Sequence, residues 1–433
     1  MNVNPFTYGN PISDPQRFFG REREVGQVFS RLRNAEAESS SLVGERRVGK
    51  TSLLHHLKHP AVRQKYGVKA DDFIFVYTDL QMISPDTTPT RLAQRLLRQL
   101  ADSVPEGEVK QLAEELRALE LIDNFALADL FDAVDAHGLH VVFLLDEFEN
   151  VTTNTNFGPD FFYGLRSLAI QHNLTLITSS VSELIELTHS EAIRSSPFFN
   201  IFANINVRLF SREEAQGMIT AYLENTGVRF SEGEVDEVFR LAGTHPFFLQ
   251  VACHFLYEAH QKNLDPELRR QFLLKNYREE ITAHLEDYWR NSTESEKIVL
   301  TAMALLNRQG KARDKTFSLG QLNELYSRSD QTLARLEKRA LLQKRRDVYA
   351  IFNASFGDWI VREISNTMRD QSSYSEWLNS NRNQMDRLSS KARSEIEEIL
   401  PKISAGYREL IIGWVSDPRN LFTVVNLLKG ALR

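Results

Sequence analysis

Cysteine is almost missing from this sequence, since Cys253 is the only one among 433 residues. A single thiol excludes a disulfide within the chain and any metal site that needs several cysteines of this chain. Cys253 lies among apolar residues at helical spacing, so we expect an inert, buried thiol. The chemistry of this chain must therefore come from other residue types.

Long apolar runs are missing as well. No stretch approaches the roughly 18 apolar residues of a membrane-spanning helix, and the first residues lack the basic and apolar parts of a secretory signal. We therefore expect a cytoplasmic protein without a membrane partner. Positive charge is not in excess either: the net charge of −6 gives no general attraction to nucleic acid, but it leaves room for a local basic face.

What the sequence does have is a regular alternation of strand and helix patterns. Short apolar runs separated by helix-period segments predict an α/β fold, with a mostly parallel sheet and helices on both faces. The predicted strands lie at residues 41–43, 73–77, 141–145, 174–178 and 201–210. Asn124 is the expected cap of a helix that ends at Gly138, and Ser211 with Glu214 forms a capping box.

Changes in this pattern divide the chain into five segments. An N-terminal extension at 1–15 precedes the α/β core at 16–225, which is followed by a helical lid at 226–290. The order helix, turn, helix and hairpin predicts a winged-helix domain at 291–368. Residues 369–433 are expected to form a small C-terminal helical module. Hydrophobic residues make up 42% of the chain, which is enough for several cores.

Residues 44–51, with the sequence GERRVGKT, match the phosphate-binding pattern G-x-x-x-x-G-K-[ST] between a predicted strand and a predicted helix. Two glycines let the loop curl so that its backbone amides face phosphate. Lys50 would then meet the β and γ phosphates of ATP, and the Thr51 hydroxyl would bind Mg²⁺. The predicted nucleotide-binding residues of the loop are Gly44, Glu45, Arg46, Arg47, Val48, Gly49, Lys50, Thr51 and Ser52.

A second motif, VVFLLDE at residues 141–147, is a predicted buried strand that ends in two carboxylates. Beside a P-loop, Asp146 would hold the magnesium shell, and Glu147 would activate the attacking water. Taken alone, the same residues would be a solvated strand end. The combination of the two motifs therefore favours a catalytic role.

The strand at 174–178 ends in hydroxyl residues. Thr178 or Ser179 could present its hydroxyl to the γ-phosphate or to the lytic water and so act as a sensor. The alternative is that these residues only cap a helix before Glu183.

Four segments resemble, in the same order, those of AAA+-related STAND ATPases, with the archaeal-ATPase-like and bacterial members as the nearest match. They are FGRE at 19–22, the P-loop region at 44–54, LLDE at 144–147 and GTHP at 243–246. The resemblance implies a P-loop ATPase core, a helical lid subdomain and a winged helix. It also places Phe19, Gly20 and Arg21 in the adenine pocket and has Pro246 close over the nucleotide.

The same resemblance suggests an arginine finger at Arg194, supplied in trans to a neighbouring subunit, where a guanidinium would stabilise charge on the transferred phosphoryl group. The alternative is an ordinary surface arginine. One family feature is missing: many STAND switches have a nucleotide-sensing histidine in the winged helix, and residues 351–358 contain none.

Three functions fit these motifs. The first is a slow, regulatory ATPase switch for signal transduction that self-associates with nucleotide state and recruits a protein effector through its C-terminal helices. The second is a DNA-acting ATPase similar to origin-recognition or transposition proteins, and the third is a scaffold that binds ATP only for stability. The DNA hypothesis depends on basic residues of the predicted winged helix, namely Arg335, Lys338, Arg339, Lys344, Arg345 and Arg346, which could instead form a solvated face.

Overall fold

A five-stranded parallel sheet organises the first half of the chain. The computed structural model describes residues 3–69, 71–293, 295–297, 299–300, 303–304, 317–318, 329–345 and 348–369. The strands of this sheet are β1 (Ser40–Val43), β2 (Phe73–Asp79), β3 (His140–Asp146), β4 (Leu174–Ser180) and β5 (Ala203–Asn206). They are arranged in the order β2-β3-β4-β1-β5, and every neighbouring pair is parallel. The predicted parallel α/β sheet is thus confirmed.

Helices connect the strands, as parallel pairing requires. They are α1 (Glu22–Leu32), α2 (Lys50–Lys58), α3 (Pro60–Lys65), α4 (Pro89–Ala101), α5 (Glu108–Leu116), α6 (Asn124–Ala136), α7 (Glu149–Thr152), α8 (Pro159–Gln171), α9 (Glu191–Arg194) and α10 (Arg212–Leu223). Short 3₁₀ helices cover Pro15–Arg17, Leu80–Met82, Leu184–Leu187 and Pro197–Ile201. In β4 every residue is buried, as expected for an inner strand covered on both faces.

Two local predictions were wrong in detail. The strand predicted at 201–210 is the four-residue β5, because this edge strand pairs only with the equally short β1. The cap of α6 is Asp123, whose side chain accepts from the backbone N–H of Ala126, and not Asn124, whose side chain lies against Gly164. The capping box of Ser211 and Glu214 is confirmed.

The second compact unit begins at Gly227, while Thr7–Thr226 form the first. Its helical part consists of α11 (Glu232–Ala242), α12 (Pro246–Gln261) and α13 (Pro266–Arg290). The N-terminal residues up to Phe6 belong to this unit: Phe6 is fully buried, and its ring contacts those of Phe230 and Tyr257. Cys253 is buried in α12, as predicted.

A small antiparallel sheet follows in the second unit. Its strands are β6 (Phe317–Ser318), β7 (Leu342–Arg345) and β8 (Val348–Ile351), in the order β6-β8-β7. The helices around it are α14 (Ser329–Lys338) and α15 (Ala354–Arg369). A helix followed by a hairpin, here α14, β7 and β8, agrees with the last part of the predicted winged-helix order. The winged-helix assignment stays a prediction because much of 301–328 lies outside the described residues. So does residue 370 onward, where the C-terminal module was predicted.

Within the described part of the chain, no helix combines the length and the apolar character needed to cross a membrane.

Candidate nucleotide site

The P-loop joins β1 to α2 with two residues in the left-handed region, Arg47 at φ 63° and Gly49 at φ 100°. Glycine accepts such backbone angles freely, whereas an arginine adopts them at a cost. Gly44 is needed for a different reason, because a Cβ there would lie 2.7 Å from the backbone oxygen of Val207. The loop therefore curls tightly beside the chain that leaves β5.

Lys50 is the first residue of α2 and is buried. Its Nζ donates to the backbone oxygens of Gly44, over 2.7 Å, and Glu45, over 3.2 Å. The ammonium group thus lies across the opening turn of the loop. Thr51 follows it on the first turn of the helix, and the hydroxyl of Ser52 accepts from the backbone N–H of Ile12 over 3.0 Å.

The other side chains of the P-loop differ in solvent exposure. Arg46 and Arg47 are exposed, while Val48 is fully buried and Glu45 is nearly so. An exposed arginine pair beside the loop adds positive charge where an anionic phosphate chain would arrive.

The predicted adenine-pocket residues lie close to the loop. The Arg21 guanidinium is buried, donates over 2.9 Å to the backbone oxygen of Val48 and stacks on Phe210. Burial lowers its pKa, and Glu24, 3.7 Å away, opposes that shift. Arg21 therefore stabilises the P-loop through a contact that local sequence does not predict.

Phe19 and Gly20 also pack within the first unit. The Phe19 ring meets Tyr222 edge to face at 5.6 Å between centroids. Gly20 has φ 68°, and a Cβ there would clash with the Phe210 ring. These contacts fix the chain that leads into Arg21.

The carboxylate pair lies at the end of β3. Asp146 is buried, and its carboxylate accepts from the Tyr77 hydroxyl over 3.1 Å and from the Ser179 hydroxyl. Glu147 follows with φ 56°, a strained angle for glutamate that turns the chain sharply at the strand end. Buried, charge-assisted hydrogen bonds of this kind hold a carboxylate in one orientation.

The strand order brings the two motifs together. β4 pairs with β1 on one side and with β3 on the other, and neighbouring strands lie about 4.8 Å apart. The end of β4 is therefore one strand spacing from the end of β1, where the P-loop begins, and one from the end of β3, which carries the two carboxylates. The backbone oxygen of Ser180 accepts from Gly44 over 3.1 Å, and the Ser179 hydroxyl accepts from the backbone N–H of Glu147 over 3.0 Å. Consecutive residues of β4 thus contact both motifs.

Of the two predicted sensors, only Ser179 is placed among these groups. Thr178 is fully buried, and its hydroxyl makes no hydrogen bond to any described residue. Because side chains alternate along a strand, neighbouring residues point to opposite faces. The geometry therefore favours Ser179 over Thr178.

Two residues of the site were missed in the sequence. Tyr77 lies near the end of β2, and its ring is also 4.6 Å from that of His55 on α2. Glu149 begins α7, and its Oε1 accepts from the backbone N–H of Val181 over 3.2 Å. Burial raises the pKa of Glu149 to about 7, helped by the negative charge of Glu147 and opposed by Lys50. The sequence feature that could have identified both residues is their position, since Tyr77 precedes a strand end and Glu149 follows the carboxylate pair by two residues.

The remaining two predicted site residues are Arg194 and Pro246. Arg194 ends α9 with half of its side chain exposed, 3.6 Å from Glu191, within the first unit. Pro246 is the first residue of α12 in the second unit, directly after the turn at 243–245. Their proposed roles toward nucleotide stay predictions.

Known proteins share this architecture. A family model described as novel STAND NTPase 2 matches residues 33–310. This chain belongs to that family. It is thus a P-loop NTPase of the STAND and AAA+ type, as the sequence motifs predicted, and relatives of this kind bind nucleotide with Mg²⁺.

Two solved structures show the same fold at low sequence identity. A Walker-type ATPase of Pyrococcus abyssi is 18% identical, with 82% of this chain and 99% of that chain covered and a TM-score of 0.55. The ORC2 protein of Aeropyrum pernix, in ADPNP and ADP complexes, is 12% identical, with 83% and 98% covered and a TM-score of 0.54. No curated protein sequence matches this chain.

Proposed function

We propose that this chain binds ATP with Mg²⁺ at the P-loop and hydrolyses it slowly, with Glu147 activating the water. The observation that carries the proposal is the double hydrogen bonding of Ser179, which donates to Asp146 and accepts from the Glu147 backbone. Residues that merely end a strand need no such common anchor. An Asp146 carboxylate held in one orientation, directly before a fixed turn at Glu147 and beside a P-loop, suits metal and water positioning.

Each side chain has a separate task in this mechanism. Lys50 would exchange its bonds to loop carbonyls for phosphate oxygens, and the backbone amides at the start of α2 would add their partial charge. Thr51 and Asp146 supply the oxygen donors that Mg²⁺ prefers. Bound Mg²⁺ would neutralise charge on the phosphates, and Glu147 would accept a proton from the attacking water.

We further propose that hydrolysis resets a regulatory switch. Such a switch requires ATP to bind one conformation of the chain more tightly than another by a few kcal/mol. The exposed Arg194 is available to a second copy, so self-association with ATP is expected. A protein effector would then read the assembled state.

Two substitutions test the catalytic assignment. Lys50→Ala should abolish ATP binding, because it removes the positive charge from the phosphate site, and Glu147→Gln should retain ATP while turnover stops. Equilibrium binding of a fluorescent ATP analogue and phosphate release measure the two effects. Glu120→Gln, at an exposed side chain of the same unit, is the control and should match the unmodified chain. Normal turnover by Glu147→Gln would remove Glu147 from the mechanism.

Size measurement tests the switch. The purified chain should elute as a larger species with a non-hydrolysable ATP analogue than with ADP. The Arg194→Ala variant should either form less of the larger species or form it normally and hydrolyse ATP more slowly. Identical size in both nucleotides, at concentrations that saturate the P-loop, would contradict nucleotide-dependent assembly.

A DNA-acting ATPase is the alternative, and it depends on the basic residues of the predicted winged helix. The basic set proposed for DNA is smaller than the sequence suggested, because Arg339 pairs with the buried Glu296 over 2.9 Å. Charge reversal of Lys344, Arg345 and Arg346 should abolish salt-sensitive binding of duplex DNA if this function holds. Unchanged binding, or no binding by the unmodified chain, would favour the switch.

A further inference from the structure

A cavity of about 300 Å³ lies within the second unit, between α11, α13 and α15. Apolar side chains of α13 form its floor, with Ile281 and Leu285 buried. Each of the three helices contributes one exposed arginine to its rim, in chain order Arg240, Arg278 and Arg362. The cavity thus combines an apolar base with a cationic edge.

The arginines are not equally neutralised. Arg240 forms two hydrogen bonds to the Glu237 carboxylate, over 2.7 and 2.8 Å. Arg278 forms no ion pair within the described part of the chain, and Arg362 donates only to the backbone oxygen of Asp358, over 3.3 Å. Asp358 is the one carboxylate among the lining residues.

Arg278 and Arg362 are also close enough to repel each other. Burial lowers the pKa of Arg362, the charge of Arg278 lowers it further, and Asp358 opposes the shift. Asp358 is the one lining carboxylate, and its charge also acts on Arg240, which leaves an excess of positive charge at the edge of an apolar cavity. Such an arrangement is stabilised when an oxyanion binds between the two groups.

We propose that this cavity binds a small phosphorylated organic molecule, with its phosphate between Arg278 and Arg362 and its organic part on the apolar floor. A phosphate monoester carries about two negative charges and three acceptor oxygens, which match two guanidinium groups better than a single carboxylate does. The volume lies at the lower end of small-ligand sites, about 300–1,000 Å³. None of its lining residues belongs to the P-loop unit, so this is a second anion site.

Phenyl phosphate is a suitable probe, because it joins one phosphate to one apolar ring. Calorimetric titration is performed on the full chain with the P-loop saturated by ADP and Mg²⁺, so that only other sites remain available. Arg278→Ala should weaken binding roughly tenfold or more, as loss of one charge-assisted bond predicts. Asp358→Asn should tighten binding several-fold, because it removes the competing negative charge. Arg290→Ala, an exposed arginine on the same helix that pairs with Glu286, should leave binding unchanged.

The opposite signs expected for Arg278→Ala and Asp358→Asn separate a specific site from a folding defect or a general charge effect. Equal affinity in all four proteins, or no saturable binding of phenyl phosphate, would overturn the proposal. The proposal would also be overturned if the chain bound a polyglutamate peptide through Arg278 but did not bind phenyl phosphate. That result would assign the cavity to an acidic protein partner.

Discussion

The hydroxyl oxygen of Ser179 accepts a hydrogen bond of 3.0 Å from the backbone N–H of Glu147. The same hydroxyl donates its proton to the carboxylate of Asp146. One side chain on β4 therefore contacts both the carboxylate of Asp146, the proposed magnesium ligand, and the backbone turn at Glu147. This arrangement makes Ser179 a positioning residue for the proposed hydrolysis.

Replacement of Ser179 by alanine should lower kcat for ATP hydrolysis by about 10- to 100-fold, because the Asp146 carboxylate loses a hydrogen-bond donor and the Glu147 backbone N–H loses its acceptor. ATP affinity, which depends mainly on the P-loop, should change much less. Single-turnover phosphate release and nucleotide binding distinguish the two effects. The matched control is Thr178→Val, which removes a buried hydroxyl without any described hydrogen bond and should leave kcat near that of the unmodified chain. The reverse pattern would make Thr178 the sensor.

Tyr77→Phe tests the second donor to Asp146. The phenol donates over 3.1 Å to Oδ2, and its loss should let the carboxylate rotate, so the Mg²⁺ concentration needed for half-maximal hydrolysis should rise several-fold. The ring and its contact with His55 remain, so stability should change by less than about 1.5 kcal/mol. A magnesium titration of the ATPase rate measures the effect. An unchanged magnesium requirement would show that Ser179 alone orients Asp146.

Glu149 predicts a specific pH dependence of stability. Burial, chiefly, raises the pKa of its carboxyl from 4.5 to about 7 in the folded chain, so the folded state holds the proton more tightly than the unfolded state. The stabilisation from that proton is complete below pH 4.5 and is lost as pH rises to about 7. Glu149→Gln, which keeps a neutral side chain, should therefore gain stability relative to the unmodified chain across this window, by up to about 3 kcal/mol.

Urea unfolding at several pH values between 4.5 and 8 measures that gain. Glu191→Gln carries the same chemical change at an exposed side chain and should show no such trend. Parallel stability curves for Glu149→Gln and the unmodified chain would contradict the raised pKa.

The sequence predicted those parts of the site that are set by local spacing. The P-loop and the strand that ends at Asp146 follow from residues adjacent in the chain, and the parallel sheet follows from the alternation of patterns. The strand order was not predictable in this way, because no local sequence pattern indicates that β4 lies between β1 and β3. For the same reason Thr178 and Ser179 could not be separated: their difference depends on which face of β4 meets Asp146.

Two contacts of predicted functional residues could not be predicted either, for the same reason. Arg21 was assigned to adenine from resemblance, while its bond to the Val48 backbone depends on the approach of α1 to the loop. Arg339 was counted among DNA-binding residues, although a residue 43 positions earlier, Glu296, pairs with it. The partners of these side chains are residues far apart in sequence, and neither composition nor periodicity predicts such contacts.

The turn at residues 243–246 is part of the motif that resembles STAND ATPases, and its packing leads to a prediction about the stability of the second unit. Gly243 has φ 61°, and a Cβ there would lie 1.9 Å from the backbone oxygen of Phe352. The next residue, Thr244, accepts a hydrogen bond from Gln343 over 3.2 Å. The turn thus packs against the β7–β8 hairpin, where backbone leaves no space for a side chain.

Gly243→Ala should therefore lower the free energy of unfolding of this unit by about 3 kcal/mol or more, through left-handed strain and the displacement of Phe352. Gly233→Ala, in helix α11 that ends directly before Gly243, is the control, because its Cβ would meet no atom within 4 Å. That variant should be as stable as the unmodified chain or slightly more so. Thermal unfolding of the full chain, followed by far-UV circular dichroism, compares the two. Equal midpoints for both variants would mean that the turn can move away from the hairpin without cost, and that its close packing does not hold this unit together.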